Sequence, residues 1–177
     1  IDGALAGLVS SGGQLVILGN GEPRYHRMIE RMTVKYPQSV AAHLTFDDAL
    51  AHRIEAGADM FLMPSFYEPC GLNQMISMIY GTPPIVRRTG GLADSVMDYS
   101  PAALSRGQST GFVFDDYKPE ALIEAAERAV ALYREEPHEW QRLMRAGMGR
   151  DFSWESVART YEGIYAQLGG GALSGAD

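Results

Sequence analysis

An acid, a proline, a thiol and a glycine stand together at Glu68-Pro69-Cys70-Gly71. They follow an apolar run, Met60 to Met63, that Pro64 stops, and they precede Leu72, Met75, Ile76 and Ile79 at helical spacing. The run predicts a buried strand and the spacing a helix from about Gly71 to Tyr80. That order puts a carboxylate beside a helix N-terminus, where free N–H groups and the positive dipole end suit a phosphate. Gly71, Leu72 and Asn73 would supply those groups. A second apolar strand, Pro84-Ile85-Val86, runs into Thr89-Gly90-Gly91, so two such turns are neighbours within the stretch from Pro64 to Val96. In open parallel sheets, turns of this kind line the crevice outside the carboxyl ends of the strands, where ligands bind. From local sequence alone, Glu68 reads equally as a helix-capping or solvated acid, and Gly71 to Asn73 as a plain helix start.

The elements that must position these turns alternate along the chain. Asp2 to Ser11 reads as a helix ended by Gly12-Gly13, and Leu15 to Leu18 is an apolar strand of the kind buried on both faces. Gly19-Asn20-Gly21 turns the chain into a helix from about Glu22 to Lys35. Val40 to Phe46 is the next strand and Asp47 to Ala56 the next helix. After the central stretch, Pro101 to Ser109 reads as a polar loop and Gly111 to Phe114 as a fifth strand. Helices over Pro119–Arg134, Pro137–Met148 and Trp154–Leu168 follow, and the last nine residues, 169–177, read as a flexible tail. Strands alternating with helices mean βαβ units. The fold expected is α/β, a Rossmann-like parallel sheet with helices on both faces, in one domain over residues 1–168.

Composition narrows the function classes. A net charge of −7 argues against a nucleic-acid or anionic-membrane surface, since both need clustered Lys and Arg. No apolar run approaches the roughly 20 residues of a membrane span. One cysteine allows no internal disulfide, and four scattered histidines give no metal-ligand spacing. No metal and no cofactor are expected, and a cytoplasmic setting fits. The first residue is Ile, and the chain reads as a fragment.

EPCGLNQ followed by YGTPPIVRRTGGLADSV resembles the donor-site segment of bacterial glycogen synthases and plant starch synthases. LVILGNGEP, TFDDALAHRIEAGADMFLMPS, TGFVFDDY and DFSWESVARTYEGIYAQL resemble the same family in the same order, to about Leu168. The resemblance implies the C-terminal half of a glycosyltransferase built from two Rossmann-like domains (the GT-B arrangement). Its activity would be retaining transfer of glucose from ADP-glucose to the non-reducing end of an α-1,4-glucan, with UDP left open as the nucleotide. The donor would bind this half and the glucan mainly the N-terminal domain. In the family a central strand and a segment resembling SRLxxQKG, whose Arg and Lys neutralise the donor phosphates, precede the residues matching Ile1-Asp2. The chain is therefore expected to lack its first strand and its N-terminal partner domain.

By the same resemblance Glu68 is the active-site glutamate, holding the donor glucose and stabilising positive charge at the anomeric carbon. No second carboxylate stands at double-displacement spacing in the stretch, so a glycosidase-like pair is not supported. The N–H groups of Gly71, Leu72 and Asn73 would hold the distal phosphate, Cys70 would pack beside the sugar, and Gly19 and Gly21 would lie under the nucleotide. Phe46 is either a base-stacking ring or a core aromatic. Thr89, Gly90 and Gly91 would approach glucose and pyrophosphate through backbone. Arg87 and Arg88 read as phosphate contacts or as partners of an acid such as Asp94, and His52 as structural. Ile76 departs from the second acid of the wider E-x7-E pattern, Phe66 from an Arg, and Ile79 from a basic residue. Two other readings stay open: a stand-alone nucleotide-sugar-binding module, and another retaining transferase or epimerase of this architecture.

Overall fold

The computed structural model describes residues 2–169. Its strands form from the short apolar runs, whose alternate side chains go to opposite faces. β1 (Leu15–Leu18) pairs in parallel with β2 (Val40–His43), Leu15 against Val40 and Leu18 against His43. β3 (Phe61–Met63), β4 (Pro84–Arg87) and β5 (Phe112–Phe114) form a second parallel sheet in that order. The sheet, expected to lack a central strand, is divided at that place: β1 and β3 share no hydrogen bonds. Val16, in the middle of an apolar strand, is 58% exposed.

β4 organises the larger sheet. Ile85 packs into a cluster with Phe112, Phe114, Leu122, Trp140 and Leu143, while Val86 on the other face meets Met78, Leu92, Val96 and Val113. Burying a side chain of this size stabilises by about 1.5–3 kcal/mol relative to exposure, so this strand is held from both sides. One cover is α7 (Pro119–Glu135), whose Leu122, Ala125, Ala126, Ala129 and Leu132 recur at helical spacing and are all buried. It lies beside α1 (Asp2–Ser10) and α8 (Pro137–Met148). The other is α4 (Asn73–Ile79) with α5 (Gly90–Ser95). Asp98 joins β5 to α7: it accepts from the Val113 N–H at 2.8 Å and from both terminal nitrogens of Arg128 at 3.2 Å.

Local signals set the helix starts. Pro23 opens α2 (Pro23–Lys35), Pro101 opens α6 (Pro101–Ser105), and Pro119 and Pro137 open α7 and α8. Proline suits the first helical position because its missing N–H has no intrahelical partner there. Asp47 caps α3 (Asp48–Gly57) by accepting from the Leu50 N–H at 2.9 Å. Three expectations shift. The polar loop from Pro101 contains α6, Gly90 to Ser95 is helical, and β2 ends at His43, three residues before Phe46. α9 (Trp154–Gly169) leaves Val157, Tyr161, Ile164 and Leu168 exposed along one face. Gly169 ends that helix, and the rest of the expected tail lies outside the described residues.

Candidate functional site

The carboxyl ends of β3 and β4 carry two loops that lie directly on each other. Pro64 stops β3 and the chain turns through Ser65 and Phe66 to Glu68. Arg87, the last residue of β4, fixes that turn: its Nε donates to the Ser65 carbonyl at 2.9 Å and its Nη2 to the Phe66 carbonyl. The guanidinium also lies 5.9 Å from the Phe66 ring centre and 5.6 Å from that of Tyr117. Phe66 and Tyr117 meet edge to face at 5.0 Å. So Phe66, where the resemblance leads one to expect Arg, closes an exposed aromatic pair around Arg87. Arg88 pairs with Asp115 at 2.7 Å and not with Asp94. Asp115 lies just past β5, the strand beside β4, a neighbour that sequence order hides.

Glu68 is half-buried, and the Ser65 hydroxyl donates to its Oε2 at 3.4 Å. Among the described residues no Lys, Arg or His forms an ion pair with it. The Gly91 N–H donates to the Glu68 carbonyl at 3.1 Å. A Cβ at Gly90 would collide with the Glu68 carbonyl and one at Gly91 with the Cys70 carbonyl, and Gly90 also has φ +45°. Both positions therefore need glycine because the neighbouring loop occupies the side-chain space. Thr89, expected to act through backbone, precedes this contact as the residue before α5.

α4 starts at Asn73, two residues later than expected, after Leu72. The N–H groups of Gly71, Leu72 and Asn73 have no backbone acceptor among the described residues, leaving three free donors beside the Glu68 loop. Cys70 is exposed next to them. Ile76 is partly buried and Ile79 exposed, so neither departure empties the core. His52 is structural, as expected: its Nδ1 lies 3.2 Å from the Tyr80 hydroxyl and ties α3 to the end of α4.

The remaining sequence-derived candidates sit on the smaller sheet. Gly19 follows β1, and its N–H continues the ladder to the His43 carbonyl at 3.2 Å. The Gly21 N–H is engaged by Asn20 Oδ1 at 2.9 Å and His26 Nε2 at 3.2 Å. No atom lies within 4 Å of where a Cβ would stand at either glycine, so this turn is open above. Phe46 is 84% exposed. The core reading of Phe46 does not hold among the described residues, because β2 ends before it and the ring is left exposed. Sequence reasoning missed Gln74 and Ser95, which link the two loops from beneath, and the backbone anchors of Arg87. No group of three or more His, Cys, Asp or Glu is placed to hold a metal among the described residues, and none of their helices is long and apolar enough to cross a membrane.

Parallel strands alternating with helices, with these loops at their carboxyl ends, place the chain among Rossmann-like α/β domains. Residues 6–145 match the glycosyl transferases group 1 family, and the chain belongs to that family. It is 54% identical over 161 residues to the glycogen synthase of Nitrosospira multiformis, covering 91% of this chain and 32% of that protein. It is 50% identical over 162 residues to glycogen synthase 1 of Methylococcus capsulatus, covering 92% of this chain and 33% of that protein. The chain thus spans about a third of the length of these relatives. Among solved structures, the catalytic domain of starch synthase IV from Arabidopsis thaliana, bound to ADP and acarbose, superposes with a TM-score of 0.81 at 40% identity. That match covers 90% of this chain and 33% of the plant chain.

Proposed function

We propose that this chain is the donor-binding, C-terminal part of a glycogen or starch synthase that transfers glucose from ADP-glucose to the non-reducing end of an α-1,4-glucan with retention. The observation that carries this reading is Glu68: among the described residues it is a half-buried carboxylate without a cationic partner, held on a glycine-backed loop beside three N–H groups with no backbone acceptor. The high identity to glycogen synthases and the likeness to a synthase solved with ADP support it.

The chemistry follows from these groups. The N–H groups of Gly71, Leu72 and Asn73 take the distal phosphate, as backbone donors ahead of a helix do. The leaving diphosphate carries away the bonding electron pair, and positive charge grows at the anomeric carbon. Glu68, unpaired and partly shielded from water, stabilises that charge through a fixed negative field. The acceptor hydroxyl attacks on the face that the diphosphate leaves, and its proton passes to the departing phosphate oxygen. Phe46 offers an exposed ring for the adenine, and the open turn at Gly19 and Gly21 would lie under the nucleotide. Cys70 lines the sugar side. The glucan and the groups that close over the donor come from the rest of the enzyme, and a parallel strand from outside these residues fills the gap between β1 and β3.

The test is an assay of the full-length enzyme with ADP-glucose and UDP-glucose on a glycogen primer, with the anomeric configuration read by NMR. The expected product is an α-1,4 extension made faster from ADP-glucose. An inverted product, or no transfer from either donor, overturns the reading.

A further inference from the structure

Gln74, in the first turn of α4, has 0% of its surface exposed. Its Nε2 lies 3.2 Å from the Gly71 carbonyl, 3.4 Å from the Cys70 carbonyl and 3.0 Å from the Ser95 hydroxyl. The two amide protons are shared among these three acceptors. The Ser95 hydroxyl donates in turn to the Gly91 carbonyl, one turn back in α5, at 2.6 Å. One carboxamide therefore grips the loop after β3 directly and the loop after β4 through a single hydroxyl.

The other end of the amide is different. Gln74 Oε1 is buried with no hydrogen-bond partner among the described residues. Reversing the amide would set an oxygen against two carbonyls, so the bonding pattern fixes its orientation. An unpaired buried acceptor costs folding free energy, and an apolar side chain of equal length would avoid that cost. What the amide contributes is thus on its donor side. Gly71, at φ +75°, closes onto it so tightly that a Cβ there would come within 2.6 Å of Oε1.

We propose that Gln74 is a positioning residue for donor binding, a clamp that holds the Glu68–Gly71 loop and the Gly90–Ser95 segment in one register so that their backbone groups face the donor together. The proposal rests on the donor-site reading of these loops.

The test uses the full-length enzyme with Gln74→Met, Ser95→Ala and the double variant. For Gln74→Met the KM for ADP-glucose rises roughly tenfold, kcat falls by a smaller factor because the same loop carries Glu68, and the KM for glucan stays near its original value. Ser95→Ala gives a smaller rise, and the double variant is no worse than Gln74→Met, as expected for two members of one linkage. Gln74→Glu, which has a donor only when protonated, recovers donor KM relative to the unmodified enzyme as pH falls. Amide exchange at Gly91 quickens in Gln74→Met while that at Val86 does not. A folded Gln74→Met enzyme with unchanged donor KM overturns the proposal. Should that variant fail to fold, Ser95→Ala decides, and an unchanged donor KM there overturns it equally. If the unmodified enzyme transfers no glucose, the donor reading falls by itself. The clamp is then judged by Gly91 exchange, and an unchanged rate removes it.

Discussion

The Gly91 N–H donates to the Glu68 carbonyl at 3.1 Å, and the space a Cβ on Gly91 would need is taken by the Cys70 carbonyl. Gly91→Ala therefore forces the two loops apart. The expected result is a loss of about 1–3 kcal/mol in stability, the scale of an overpacked site, together with weaker donor binding. Gly163→Ala is the control: it lies inside α9 with nothing within 4 Å of the new methyl group, and it should stabilise by roughly 0.5–1 kcal/mol. Thermal melting of both variants checks this, and equal shifts in the same direction would refute the close-approach argument.

Glu68→Gln keeps shape and removes charge. In the full-length enzyme kcat is expected to fall on the order of 10²–10³, the scale for losing one transition-state stabiliser. The melting temperature should hold, because Glu68 has no ion pair to lose among the described residues. Near-normal turnover would take Glu68 out of the active site.

Phe46→Ala separates base stacking from core packing. With the ring 84% exposed, stability should change little. ADP binding should weaken by roughly 1–3 kcal/mol, the scale of base–aromatic stacking, while pyrophosphate binding holds. Calorimetry with both ligands makes the comparison, and equal losses would mean that the ring is no base platform.

Much of this was legible from sequence because it depends on local signals. All five strands are apolar runs bounded mainly by Gly, Pro or polar residues, and three of the helices read from the sequence carry proline at their start, although the same signal at Pro101 reads as a loop. The Glu68 loop could be placed because a strand run, a proline stop and a helical spacing fall in one stretch. What could not be read depends on which loop meets which. Gly90 and Gly91 already open α5, and the Glu68–Cys70 backbone takes the space that a Cβ would need at both. Asp115 as the partner of Arg88, the anchoring of Ser65 and Phe66 by Arg87, and the Gln74–Ser95 bond all span 20 or more residues. Nothing in the periodicity of either partner reports such contacts.

Tyr99 gives a pH signature remote from the loops. Burial first, and then the hydrogen bond to Glu139 and its negative charge, push the phenol up to about 12 from an ordinary 10.0. The folded state holds this proton more tightly than the unfolded chain does. Its contribution is therefore complete below about pH 10 and is lost as pH rises through about 12. Because the side chain is only half-buried, solvent screening limits the effect to on the order of 1 kcal/mol. Melting curves from pH 9 to 12 should fall more steeply for the unmodified protein than for Tyr99→Phe. Parallel curves would show that the Tyr99–Glu139 bond adds nothing in this range.

Residues 1–177 on their own should transfer no glucose and bind ADP weakly. The chain spans about a third of the glycogen synthases it matches, and the proposed acceptor groove belongs to the remainder. No strand joins β1 to β3, so the Gly19–Gly21 turn and Phe46 are tied to the Glu68–Asn73 loop only through contacts such as Leu15 on the core of the larger sheet and the His52–Tyr80 hydrogen bond. A nucleotide bridging the two sheets then meets loops that no shared strand holds together, and any ordering it imposes on them subtracts from affinity. The apolar face of α9, with Trp154 83% exposed at its start, is likewise uncovered among the described residues. Titrating the purified chain with ADP by calorimetry, beside the full-length enzyme, measures the difference. Equal affinities would show that the two sheets already form a finished donor site. Glucan elongation by the chain alone would show that it holds the acceptor as well, and the proposed division of labour would be wrong.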